Sequence, residues 1–214
     1  KVEKKFLIVE GNTREENSEF TAVGINTHTE SLIESINFYE KDLDISIANP
    51  SSDNNLKNSI ESLDKYDGMI WGGSSLNIYN DTDEIRRQIS FMRECQLKIK
   101  KIFAICWGLQ VAVTVAGGQV KKSDKGAHRG IAHNIKVNNI GSNHKIYLNK
   151  KRQFNSPAFN FDEVVKIPEG ATLLSSNELN NVMGLNFKTN KSDIWGIQYH
   201  PCLLYTSPSP RDRG

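Results

Sequence analysis

The sequence predicts one α/β domain: a central, mostly parallel sheet with helices on both faces, extended by added antiparallel strands. Three observations lead there. Short, continuously apolar runs alternate with stretches of helical period along the first half of the chain, the pattern of strands buried on both faces. Strand followed by helix at this spacing calls for right-handed parallel crossovers. Beyond Val120 strand-like runs succeed one another with joins too short for crossover helices, so several must pair antiparallel.

Residues 5–10 carry Phe6, Leu7, Ile8 and Val9 and read as the first buried strand. A polar stretch from Gly11 to about Thr27 reads as loop. Leu32, Ile33, Ile36 and Tyr39 then recur at helical spacing. Residues 44–48 form a second strand closed by Asn49-Pro50, and Leu56, Ile60 and Leu63 mark a second helical face. Residues 67–71 form a third strand, ending in Gly72-Gly73. Asp81 with Glu84 resembles a capping box, opening a helix with Ile85, Ile89 and Met92 inward. Residues 101–106 form a fourth strand, and a helix from Trp107 to Ala116 stops at Gly117-Gly118. The later strands are expected at 131–137, 144–148, 163–167, 171–175, 182–188 and 193–199.

The composition is that of a soluble globular chain, 37% hydrophobic and 24% charged over 214 residues. A formal net charge of +2 gives no footprint for nucleic acid or an anionic membrane surface, and no apolar run approaches a bilayer span. Three cysteines without paired spacing make no disulfide framework, so a reducing, cytoplasmic setting is expected. Residues 202–214 show neither helical nor strand period. They look like an in-frame translation of a sequencing-library adaptor, which places the natural domain at 1–201, truncated at its C-terminus.

The chemistry concentrates in three runs. In Ala104-Ile-Cys106-Trp-Gly108-Leu-Gln110 an apolar strand ends on cysteine and a helix begins at once. Small flanking residues allow the close backbone approach that a nucleophile on a sharp turn needs. The helix start aims N–H groups at the sulfur and favours thiolate. Gly72-Gly73 ends the preceding strand at the same sheet edge, where the Gly73 N–H, with that of Trp107, can hold a developing oxyanion. Gly196-Ile-Gln-Tyr-His200-Pro201 delivers a histidine at a strand end, suited to act as general base and acid. His28, His128, His133 and His144 show no ligand spacing and read as surface or loop residues. Cys95 reads as a packing or surface residue. Neither a metal nor a cofactor is required.

Together these runs resemble the class I (triad-type) glutamine amidotransferase family, from Phe6 to Pro201, and within it the stand-alone GMP-synthase-like members. The family's G-x-C-x-G-x-Q reads A-I-C-W-G-L-Q here. Its D-G-x-I-x-x-G-G is close to residues 67–73, and its G-x-Q-x-H-P is met by residues 196–201. Supporting segments are Gly117-Gly118-Gln-Val, Arg129-Gly130-Ile131-Ala132, Asp162-Glu163-Val164 and Pro168-Glu-Gly170-Ala171. The resemblance implies a three-layer, flavodoxin-like sandwich. It also implies Cys106 and His200 as catalytic residues, Gly73 and Trp107 as backbone oxyanion donors, and Gly72 and Gln110 as substrate contacts.

Two departures stand out. Phe159-Asn160 occupies the place where GMP synthase often carries Ser-His, which suggests a ligand other than free glutamine or another way of holding it. Cys202 stands where the family has the triad glutamate, read here as lost by truncation; nothing in the sequence brings Asp162 or Glu163 to His200. The implied activity is hydrolysis of the glutamine side-chain amide through a cysteine thioester, with ammonia passed to a synthetase partner. No phosphate-cradling Gly-rich loop is present. The alternatives are a γ-glutamyl amide or peptide hydrolase acting alone and a non-catalytic regulatory subunit.

Overall fold

The structure, a computed structural model, describes residues 3–201; residue 202 and the expected tail lie outside the described residues. A nine-stranded sheet forms the centre, in the order β2-β1-β3-β4-β11-β10-β9-β6-β7. The strands are β1 Lys4–Val9, β2 Leu43–Ala48, β3 Gly68–Trp71, β4 Lys101–Ile105, β6 His128–Val137, β7 Gln153–Asn160, β9 Thr172–Ser176, β10 Gly184–Lys188 and β11 Asp193–Ile197. Pairing is parallel from β2 across to β11 and antiparallel from β11 to β7. The parallel part, with its additions, is the expected architecture. β5 Gln119–Lys122 and β8 Asp162–Lys166 form a separate antiparallel pair.

Alternation along the strands divides the core into two layers. Leu7, Val9, Met69, Trp71, Ile102 and Ala104 face α4 (Asp83–Lys98) and α5 (Trp107–Val115). Ile8, Ile70, Phe103 and Ile105 face the opposite way, where α2 (His28–Tyr39) lays down Leu32, Ile33 and Ile36. Trp71 and Phe91 are fully buried with ring centroids 6.0 Å apart. Each such side chain contributes roughly 1.5–3 kcal/mol by leaving water. Helix α3, Lys57–Glu61, is followed by a 3₁₀ turn at Leu63–Lys65, and α6 is the single turn Asn139–Ser142.

The polar stretch read as loop contains a helix, α1, Arg14–Ala22. It buries no residue, so no apolar stripe announces it; a Thr13–Glu16 capping box starts it. The expected box at Asp81 and Glu84 does not form. Thr82 occupies the N-cap without a side-chain hydrogen bond, and the Asp81 carboxylate instead accepts from Arg86 at 2.6 and 2.7 Å. Residues 144–148 are not a strand. His144 Nδ1 accepts from the Ile146 N–H and starts a 3₁₀ turn, Lys145–Tyr147. β7 went unread because Pro157 interrupts it, yet β7 is the sheet's edge, where a missing N–H is tolerated.

Candidate active site

Cys106 caps α5 with φ 54° and ψ −106°. A non-glycine residue in this region carries strain of about 1–3 kcal/mol and must be held there. Three backbone bonds hold it: the Cys106 N–H to Ile197 O at 2.8 Å, the Gln110 N–H to Cys106 O at 3.2 Å, and the Gly108 N–H to Gly72 O at 3.2 Å. Gly108 must lack a side chain, since a Cβ there would lie 2.3 Å from the Trp71 carbonyl oxygen. The Trp107 indole, 1% exposed, donates to Gln88 Oε1 at 2.7 Å and anchors the first turn of the helix.

The thiol meets the Trp107 N–H and the Gln198 side-chain amide, which donates to Sγ at 3.3 Å. Burial nevertheless pushes the thiol up to about 12. The Trp107 N–H and Gln198 draw it back, and the nearby Asp162 charge adds to the rise. The helix start therefore favours thiolate as expected, but desolvation outweighs it, and the resting group is a thiol.

His200 follows β11, its N–H donated to Pro157 O at 2.8 Å. Burial drives its imidazole down to about 3, with His28 adding to the effect, so the resting ring is neutral. His28, at the start of α2, packs against it with ring centroids 4.9 Å apart. Burial lowers His28 too, opposed by the Glu10 charge and the Gly73 backbone. Its Nδ1 is buried and meets no hydrogen-bond partner among the described residues. Gly73 spaces the two rings: a Cβ there would lie 2.7 Å from His200 Cε1 and 2.7 Å from His28 Nδ1. No carboxylate among the described residues hydrogen-bonds His200.

Cys106, Gln110, His28 and His200 all line one cavity of about 980 Å³. Gly72 and Gly73 line a recess of about 20 Å³ behind the two imidazoles. Gly72 also has both backbone groups engaged, its N–H with Val9 O at 3.3 Å and its C=O with the Gly108 N–H. The Gln110 amide donates to Gln198 Oε1 and to Asp162 O, each at 3.2 Å. It thus forms a buried chain from β8 to the sulfur. Asp162 lines the cavity; Glu163 instead accepts from Asn180 at 3.2 Å.

Sequence reasoning assigned no role to Gln198 and misplaced two histidines. His28 is a cavity residue, and a Thr27–Glu30 capping box is the sequence signal that sets it on the first turn of α2. His128 is 3% exposed, held by Asn160 at 2.8 Å and Asn177 at 2.9 Å. Cys95 is buried in the core, as a packing residue. Asn160, at the Ser-His place of the resemblance, spends its amide on Asp162 O and Asn180 Oδ1.

Known proteins resemble this chain. A hydrolase of γ-glutamyl-L-1-hydroxyisopropylamide from a Pseudomonas species is 30% identical over 205 residues, 93% of this chain and 68% of that protein. A glutamine-hydrolysing GMP synthase component from Sulfolobus acidocaldarius is 28% identical over 69% of this chain and 73% of its own. γ-Glutamyl peptidase 3 of Arabidopsis thaliana is 33% identical over 65% of this chain, which spans 55% of that protein. Among solved structures, a putative GMP synthase component from Thermoplasma acidophilum superposes with TM-score 0.70 at 20% identity, covering 97% of this chain and 88% of that one. At that identity the likeness speaks for the fold. The family profile "Glutamine amidotransferase class-I" matches residues 25–207, and the chain belongs to that family.

Proposed function

We propose that the chain hydrolyses the C–N bond of γ-glutamyl amides, glutamine being the simplest, through a Cys106 thioester. The observation that carries this is the strained Cys106 elbow opening into the same cavity as His200. The three relatives named above, described as γ-glutamyl hydrolases and as a glutamine-hydrolysing synthase component, support it.

In this reading neutral His200 takes the thiol proton as sulfur attacks the δ-carbonyl carbon. The C–S bond forms and the carbonyl π electrons move to oxygen. The N–H groups of Trp107 and Gly73 stabilise that oxyanion. Collapse breaks the C–N bond, and His200 returns its proton to the departing amine. Water, deprotonated by His200, then attacks the thioester; the C–S bond breaks, glutamate leaves, and the thiol is restored. Gln198 positions the sulfur, and Gln110 steadies Gln198.

A second reading passes ammonia to a synthetase, supported by the likeness to the Sulfolobus GMP synthase component. It requires glutamine turnover to rise when an ATP-dependent acceptor enzyme is added. Among the described residues no helix is long and apolar enough to cross a membrane, and two buried free cysteines fit a cytoplasmic setting. Incubation with glutamine and γ-glutamyl amides, with glutamate and amine measured, tests the chemistry. Release by the unmodified protein, its loss in Cys106→Ser, and a thioester trapped with hydroxylamine are expected. Equal release by Cys106→Ser would sink the assignment.

A further inference from the structure

We propose that the cavity beside Cys106 selects γ-glutamyl amides whose amine half is apolar and free of carboxylate, over both glutamine and γ-glutamyl peptides. This rests on, and deepens, the reading of Cys106 as nucleophile toward γ-glutamyl amides.

The first observation is size. About 980 Å³ stands at the upper end of the roughly 300–1,000 Å³ of small-molecule pockets. Glutamine, whose leaving group is ammonia alone, leaves the outer part unfilled. The second is the character of that outer part. Val23 and Ile25 from the segment after α1, Ile131 from β6, and Phe159 and Phe161 around the β7–β8 turn converge on it. All are more than half exposed, at 70%, 54%, 54%, 55% and 53%. Apolar side chains left open at a concave mouth mark a place where apolar matter is bound. These lie in the same concavity as the thiol, and in this proposal the amine half, beyond the scissile bond, sits against them.

The third observation is charge. Glu16, Glu19 and Asp162 line the cavity, and no lysine or arginine among the described residues does. His28 and His200 are held neutral by burial. Two cations stand against lining residues without lining the cavity themselves: Lys122 offsets Asp162, and the Arg129 guanidinium lies 5.6 Å from the Phe161 ring centroid. The glutamyl α-ammonium therefore finds carboxylates, and its α-carboxylate finds neutral donors such as the amides of Asn12 and Asn77. A γ-glutamyl peptide brings a second carboxylate into a lining that holds Glu16 and Glu19 and no lysine or arginine, and like charges repel there.

The test uses a matched pair. γ-Glutamyl-phenethylamide and γ-glutamyl-phenylalanine share the aromatic body and differ by one carboxylate. Titration calorimetry on the full chain carrying Cys106→Ser should show the amide binding at least tenfold tighter than the peptide and than glutamine. Ile131→Lys, at an exposed position, places a cation at the mouth and should raise peptide affinity relative to amide affinity about tenfold. Equal binding of the pair, tightest binding of glutamine, or a ratio unmoved by Ile131→Lys each overturns the proposal. Amine release by unmodified protein is read separately. If none of the three compounds is cleaved, the catalytic reading fails, while the binding order still decides this one.

Discussion

Gly72 and Gly73 are equivalent in the sequence pattern but not in space, and replacing each with alanine separates two roles. A Cβ on Gly73 would lie 2.7 Å from both His200 Cε1 and His28 Nδ1. Ordinary contact needs about 3.5–4.0 Å, so both rings, or the backbone between them, must give by about 1 Å. The His200 backbone is tied through its N–H to Pro157 O at 2.8 Å, and the two rings already pack at 4.9 Å. Overpacking of this kind costs about 1–3 kcal/mol of stability. A 1 Å misplacement of a catalytic group costs about a hundredfold in rate. Alanine keeps the N–H, so the proposed oxyanion donor is retained. A Cβ on Gly72 meets only Leu32 Cδ1 at 3.4 Å. The assay is kcat/KM toward a chromogenic γ-glutamyl anilide, with urea midpoints as a check on folding. Gly73→Ala should fall about a hundredfold below Gly72→Ala and unfold at lower urea. Values for the two within about threefold of each other would refute the view that Gly73 is the spacer of the imidazole pair.

Three further outcomes follow from the same geometry. Because burial holds the Cys106 thiol near 12, alkylation by iodoacetamide without substrate should be slower than for a free thiol titrating near 8.5, and should rise about tenfold per pH unit well into the alkaline range. Because His200 is held near 3, kcat/KM should show no acid limb at an ordinary histidine value of about 6.5; a limb there would mean the ring is far better solvated than its burial implies. Gln198→Ala removes a donor to the sulfur and the acceptor of the Gln110 amide. It should lower the alkylation rate at fixed pH and cost about 2–4 kcal/mol in denaturant unfolding, and an unchanged rate would remove Gln198 from its positioning role.

Much of this was legible in the chain. Continuous apolar runs gave β1, β3 and β4 to within a residue or two, because strands buried on both faces leave no room for polar alternation. The Cys106 elbow was readable because its geometry demands small neighbours, and Gly108 against the Trp71 carbonyl shows why. What stayed hidden has physical reasons. Helix α1 is held by caps and buries nothing, so it has no period to detect. β7 contains a proline that only an edge position excuses. The Thr27–Glu30 box sets His28 on the first turn of α2, but its approach to Gly73 after β3 is a long-range contact that the local pattern does not report. The resting protonation of Cys106 was misjudged because burial, which sequence does not report, outweighs the helix start, which it does.

Strand β11 has a consequence beyond delivering His200. It is bonded to β4 on one side and β10 on the other, and no other described strand touches both the parallel and antiparallel halves. The Cys106 N–H is itself closed by β11 through Ile197 O, and the amide that reaches its sulfur stands 92 positions further along the chain. During synthesis Cys106 therefore emerges long before the segment that fixes its turn. Until β11 inserts, Cys106 lacks both the Ile197 bond that holds its strained turn and His200 in the shared cavity. In the proposed mechanism, competence arrives in the same step that joins the two halves of the sheet, and a partly folded chain carries the cysteine without it.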